Sequence, residues 1–160
     1  MQKCDLHKTR THALPGESPA DAVVCFVGEA PGRHEDEQGV PFIGAVGKQL
    51  DGMLEVAALS RDPVFITAAV KCRPPKNRDL KVVEISACDE HLFAQLDLLQ
   101  PRLVVCLGRI ALRTVLGRIE LSDVRRRWVE KDGRLVTATY HTAAVFYNRS
   151  LAETIAEDMA

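Results

Sequence analysis

Four short runs of the chain are apolar almost throughout. They are Val23-Val24-Cys25-Phe26-Val27 within residues 21–27, residues 63–70, residues 103–108 and residues 134–139. Runs of this length, bounded by Pro, Gly and charged residues, predict buried strands. Between them the apolar period lengthens. Val46, Leu50, Met53, Leu54, Ala57 and Ala58 recur at three and four, which predicts an amphipathic helix over 45–59. Val82, Ile85, Cys88, Leu92, Leu96 and Leu99 predict a second over 82–99, which Pro101 stops. Gly108 turns the third strand into a short helix at 110–116. A last helix runs from Ser150, its expected cap, to Met159. Strands alternating with helices predict an α/β fold: a three-layer α/β/α sandwich around a mostly parallel four-stranded sheet. No linker or internal repeat interrupts residues 1–160, so a single domain is expected.

Composition narrows the possibilities. The net charge is −1, so no global basic field exists, and any nucleic-acid role must rest on a local patch. No apolar run is long enough to span a membrane. The start, Met1-Gln2-Lys3-Cys4-Asp5, is too polar for a signal peptide. A cytoplasmic monomer without a membrane partner is expected. Five cysteines in that setting point to metal, redox chemistry or core packing rather than disulfides. Cys25 and Cys106 lie inside apolar runs and read as small core residues.

In a parallel sheet, ligands gather where loops leave the C-terminal strand ends. The loop after the first strand is Gly28-Glu29-Ala30-Pro31-Gly32-Arg33-His34-Glu35-Asp36, continuing to Gly39-Val40-Pro41-Phe42-Ile43-Gly44. Its one aromatic, Phe42, reads either as a platform for a planar ligand or as a plug over the core. The loop after the second strand, Lys71-Cys72-Arg73-Pro74-Pro75-Lys76-Asn77-Arg78, is basic and stiffened by proline. The fourth strand delivers Tyr140-His141-Thr142-Ala143-Ala144-Val145-Phe146-Tyr147-Asn148-Arg149. Val145, Phe146 and Tyr147 read either as core or as a surface wedge. Arg125-Arg126-Arg127 reads as a surface feature.

Taken together, these blocks resemble the family 4 uracil-DNA glycosylases. The first loop is similar to that family's first motif and the second loop to its second block. Tyr140-His141 through Asn148 is similar to its last motif, and Cys4-Asp5-Leu6-His7-Lys8-Thr9-Arg10-Thr11 to its N-terminal cluster-binding segment. The resemblance implies a monofunctional enzyme of base-excision repair that hydrolyses the N-glycosidic bond of uracil in single- or double-stranded DNA. It implies that His141 stabilises the anionic leaving base and that Glu29 helps position water. Phe42 would stack on an extruded uracil, with Gly28, Ala30 and Ala68 around the base. Arg73, Lys76, Arg78 and Arg149 would touch the DNA. A 4Fe-4S cluster would be held by Cys4, Cys72 and Cys88, with His7 as a substitute fourth donor and zinc as the second choice.

Three positions depart from the family. Ala68 stands where an Asn reads the base edge, Thr142 where a Pro follows the histidine, and Met1 where the first cluster cysteine belongs. The second reading is therefore a silent relative that binds DNA or another damaged base without excision.

Overall fold

The computed structural model describes residues 2–17 and 19–160. Its sheet contains β1 (Val24–Gly28), β2 (Val64–Ala68), β3 (Leu103–Leu107), β4 (Val129–Lys131) and β5 (Arg134–Thr139), in the order β2-β1-β3-β5-β4. The pairs β1–β2, β1–β3 and β3–β5 are parallel. The sheet has five strands, not the four expected. The extra one, β4, is three residues long and pairs antiparallel with β5 across the Asp132-Gly133 turn. Its sequence, Val-Glu-Lys, is too short and too polar to register as an apolar run.

The helices are α1 (Arg33–Gln38), α2 (Gly44–Val56), α3 (Val82–Leu99), α4 (Arg109–Leu116), α5 (Leu121–Val124) and α6 (Leu151–Met159). The strand pleat sends alternate side chains to opposite faces. Cys25, Val27, Val104 and Cys106 pack against Leu92 and Leu96 of α3 and Leu112 and Val115 of α4. Phe26, Val105 and Leu107 pack against Leu50, Met53 and Leu54 of α2 and Ile155 of α6. These are the three layers. Cys25 and Cys106 are fully buried, and burial pushes both thiols up, Cys25 to about 12. They serve as core.

Local chemistry explains several boundaries. Lys81 precedes α3, and its N–H donates to Glu84 Oε2 at 2.8 Å, closing the first turn. Gln100 leaves the helix in the left-handed region at φ 47, ahead of Pro101. Ser150 does precede α6, but its side chain makes no cap bond. Its Oγ donates to Asn148 Oδ1 instead, at 2.7 Å. The helix α1 lies inside the segment read as loop; six residues are too few to display a period.

The N-terminal lead-in, which lacks any apolar period, is pinned by polar contacts. Buried Asp36 accepts the N–H groups of Thr11 and His12 at 2.9 and 3.0 Å. Leu14 N–H donates to the Lys71 carbonyl at 2.8 Å. Glu17 exchanges two backbone bonds with Ile66. Among the described residues, no helix is long and apolar enough to cross a membrane.

Candidate active site

A cavity of about 420 Å³ opens where the loops after β1, β2 and β5 meet. This convergence follows from the parallel pairing, which puts all three C-terminal strand ends on one edge. Glu29, Ala30, Phe42, Ala68, Arg78 and His141 all line it. Gly28 does not line it but lies against two residues that do: a Cβ there would meet the Phe42 ring at 2.5 Å and His141 Nε2 at 3.7 Å.

His141 follows the end of β5 by two residues and heads the 3₁₀ turn Thr142–Phe146. Its Nδ1 accepts the Ala143 N–H at 3.1 Å. An acceptor at Nδ1 requires the proton on Nε2, so the ring is neutral and Nε2 is a donor. Burial pushes its pKa down to about 4. The unfolded chain, with histidine near 6.5, takes up this proton first as the pH falls. Stability is therefore full above about pH 6.5 and falls by roughly 3 kcal/mol on the way to pH 4. Thermal melts between pH 8 and 4 test this: Tm should drop more steeply for the wild type than for His141→Gln across that window.

Phe42 stacks beside His141, with ring centroids 5.8 Å apart and planes 27° from parallel. Its backbone sits in the left-handed region at φ 50, a strained conformation for a bulky residue. Two neighbours hold it there. Arg61, bound to Asp51 at 2.6 Å, donates to the Phe42 carbonyl. Gly47 on α2 leaves room for that carbonyl; a Cβ would sit 2.2 Å from the oxygen. Phe42 is thus both buried and a wall of the cavity, so the two sequence readings of it are not exclusive.

Glu29 is half-buried. Burial raises its pKa and the nearby Asp79 carboxylate raises it further, against the pull of Arg109. Asp79 has no sequence signal beyond its position beside a strand-end loop. At the floor, the Ala68 methyl faces the cavity, and the backbone around it is already committed. Its carbonyl accepts from Lys71 Nζ at 2.6 Å, and Ala69 N–H donates to the Gly28 carbonyl at 2.9 Å. Lys71 is fully buried. Its ammonium also reaches Thr67 Oγ1 and Gln95 Oε1, both at 2.6 Å, so all three donors are used. Burial pushes it down to about 8.

The basic loop divides. Arg73 Nε donates to Asn77 Oδ1 at 2.8 Å, and Asn77 lines the cavity mouth. Lys76 and Asn77 are both left-handed, at φ 55 and 54. Lys76 is exposed. Arg78 is committed inward: it forks onto buried Glu84 at 2.9 and 2.6 Å and holds that carboxylate down to about 2. Arg149 is exposed and does not line the cavity. Phe146 and Tyr147 are 52% and 93% exposed, which settles them as surface residues; Tyr147 stands at the cavity mouth. In the arginine triplet, Arg126 and Arg127 are exposed but Arg125 is drawn inward onto Asp158.

Cys4, Cys72 and Cys88 come together elsewhere, around a small hollow shared with His7 and His91. Arg10 Nη1 donates to Cys72 Sγ at 2.9 Å. Burial raises the Cys88 thiol's pKa, and the Lys71 backbone N–H counters part of that rise. His7 Nδ1 donates to the Cys4 carbonyl at 2.7 Å, which leaves Nε2 as the ring's lone-pair nitrogen. Among the described residues, no three His, Cys, Asp or Glu side chains are gathered tightly enough for a single metal ion. Met1, where the resemblance puts a further cysteine, lies outside the described residues.

Residues 15–159 match the model of the uracil DNA glycosylase superfamily. The chain is 44% identical to the type-4 uracil-DNA glycosylase of Archaeoglobus fulgidus, over 98% of this chain and 83% of that protein. It is 42% identical to the type-4 enzyme of Sulfurisphaera tokodaii, over 98% of this chain and 76% of that one. The type-5 uracil-DNA glycosylase of Thermus thermophilus is 34% identical over 81% of this chain and 68% of its own length.

Proposed function

The chain belongs to the uracil DNA glycosylase superfamily, and from that premise we propose that residues 1–160 form one domain that hydrolyses the N-glycosidic bond of uracil in DNA, as a cytoplasmic monomer in base-excision repair. The observation that carries the reading is a neutral histidine, with its N–H on Nε2, set beside an aromatic wall in one cavity. An extruded uracil stacks on Phe42 and presents O2 to His141. As the N1–C1′ bond breaks, its electron pair goes to the base, and the Nε2–H bond stabilises the resulting anion. Glu29 orients the water whose oxygen bonds C1′; its raised pKa makes the ionised carboxylate a better proton acceptor. The water's proton ends on the departing uracil.

No lysine lines the cavity among the described residues, and the buried Lys71 has its three donors occupied. That supports a monofunctional hydrolase without strand cleavage. Arg73, Lys76 and Arg149 supply phosphate contacts outside the cavity, with Tyr147 exposed beside the duplex. Arg78 braces the loop through Glu84.

The three converging cysteines fit an iron-sulfur cluster better than zinc. Zinc needs every donor about 2.0–2.3 Å from one centre, which this hollow does not offer. A cluster spreads its thiolates over several irons, and the Arg10 N–H donor at Cys72 suits a ligating sulfur. Cys4, Cys72 and Cys88 would hold it, with His7 nearest to a fourth donor. When bound, it would tie the N-terminal segment, through Cys4, to the basic loop at Cys72 and to α3 at Cys88. An iron and sulfide assay with an absorption spectrum tests this.

Incubation with uracil-containing single- and double-stranded oligonucleotides tests the activity, and no base release at high enzyme would end it in favour of a silent binder. Ala68 offers the base edge no polar group, so discrimination against cytosine should be weak. Ala68→Asn should raise the uracil-over-cytosine ratio about tenfold or more, since an amide both accepts from N3–H and donates to O4. Relative kcat/KM on the two substrates checks it.

A further inference from the structure

His141 owes its direction to the chain that delivers it, and that chain is held from outside the cavity. The last residue of β5, Thr139, is 1% exposed and donates its Oγ1 to Asp158 Oδ2 at 2.6 Å. Arg125 forks onto the same carboxylate, Nε to Oδ2 at 2.7 Å and Nη2 to Oδ1 at 2.9 Å. The guanidinium then lies over the ring of Tyr140, 4.9 Å from its centroid. Tyr140 is the residue between Thr139 and His141.

The placement of Asp158 runs against helix electrostatics. It sits in the last turn of α6, where the macrodipole disfavours an anion, and its side chain is only 1% exposed. A buried carboxylate at the negative end of a helix needs specific partners, and it has three bonds from two of them. A bidentate Arg–carboxylate fork with a ring under the cation is a rigid unit that lysine cannot reproduce.

We propose that Asp158, Arg125 and Tyr140 form a brace that fixes the exit of β5 and thereby aims the His141 imidazole into the cavity. They are positioning residues and touch neither base nor sugar. The inference rests on the reading of His141 as the leaving-base donor.

The test is a double-mutant cycle on uracil release from single-stranded DNA. Asp158→Asn should lower kcat about 10- to 100-fold with KM within about twofold, the scale expected when a reacting group is displaced by an ångström. In the His141→Ala background the same change should cost less than about twofold, because no imidazole remains to be aimed. An equal loss in both backgrounds would overturn the brace, as would a rise in KM with kcat unchanged. Should Asp158→Asn fail to fold, Arg125→Lys keeps the charge, loses the fork and is expected to behave the same way. A second readout is independent of turnover. With 15N-labelled histidine, the wild type should show His141 as the Nε2–H tautomer, and both brace variants should show a mixture. An unchanged tautomer in a folded variant would also overturn it. If the wild type releases no uracil, the glycosylase reading fails, while the tautomer measurement still decides the brace.

Discussion

His141→Ala should lower kcat for uracil release by about 10²- to 10³-fold while leaving affinity for uracil-containing DNA within a few fold. The magnitude is that of a single preorganised donor aimed at developing negative charge, about 2.7–4 kcal/mol. Nε2 is such a donor because Ala143 N–H holds the other nitrogen as an acceptor and burial keeps the ring neutral at every pH above about 4. A neutral donor has a second consequence: it costs no proton uptake during catalysis, so no inflection near pH 6.5 should arise from this residue. The loss should fall in kcat, since the bond to O2 strengthens only as the base becomes an anion. Steady-state kinetics with a separate binding measurement check both halves. A variant with unchanged kcat would leave the cavity without its main catalytic group.

Much of this arrangement was legible from the residues alone. The strands β1, β2 and β3 announced themselves because they are buried on both faces and so are almost wholly apolar, whereas β5 alternates, with Leu135 exposed and Val136 buried. The helix α3 kept its predicted bounds, with Cys88, Leu92 and Leu96 buried as the period requires, although Val82 at its start is exposed. The meeting of Phe42 and His141, almost a hundred positions apart, followed from parallel topology alone, since strand ends of one sense share an edge. What the pattern concealed was held by polar contacts. Asp36 anchors a lead-in without periodicity, Arg61 pins a strained Phe42, and Arg125 turns inward from a triplet that reads as solvent-facing. In each case the partner lies far off in sequence, and a charged residue looks the same there whether solvated or bonded. Arg78 shows the converse. Its partner Glu84 is only six residues on and takes both arms of its guanidinium, yet the basic run around Arg78 gives no hint of the pair. The strand β4 escaped for a different reason: it exists through its pairing with β5 and carries no hydrophobic signature of its own.

Gly28→Ala should reduce uracil release by about 10²-fold or more, for a steric reason that a second substitution can isolate. The new Cβ would stand 2.5 Å from Phe42 Cζ and 2.8 Å from Cε2, well inside contact distance. The ring has little freedom to retreat. Its side chain is buried, its carbonyl is bonded by Arg61, and α2 presses on that carbonyl at Gly47. The ring must therefore tilt into the space meant for the base, and a stacking surface misplaced by an ångström costs on the order of 10²-fold. Overpacking should also destabilise the fold by about 1–3 kcal/mol. Phe42→Ala alone should lose activity too, through the missing platform, and leave a cavity. The two changes should not add. With the ring gone, the Gly28→Ala methyl meets no obstacle, so the double variant should melt higher than additivity predicts and be no less active than Phe42→Ala. Additive losses in both activity and Tm would mean that Gly28 is needed for something other than room for the ring, such as direct approach of its backbone to the substrate.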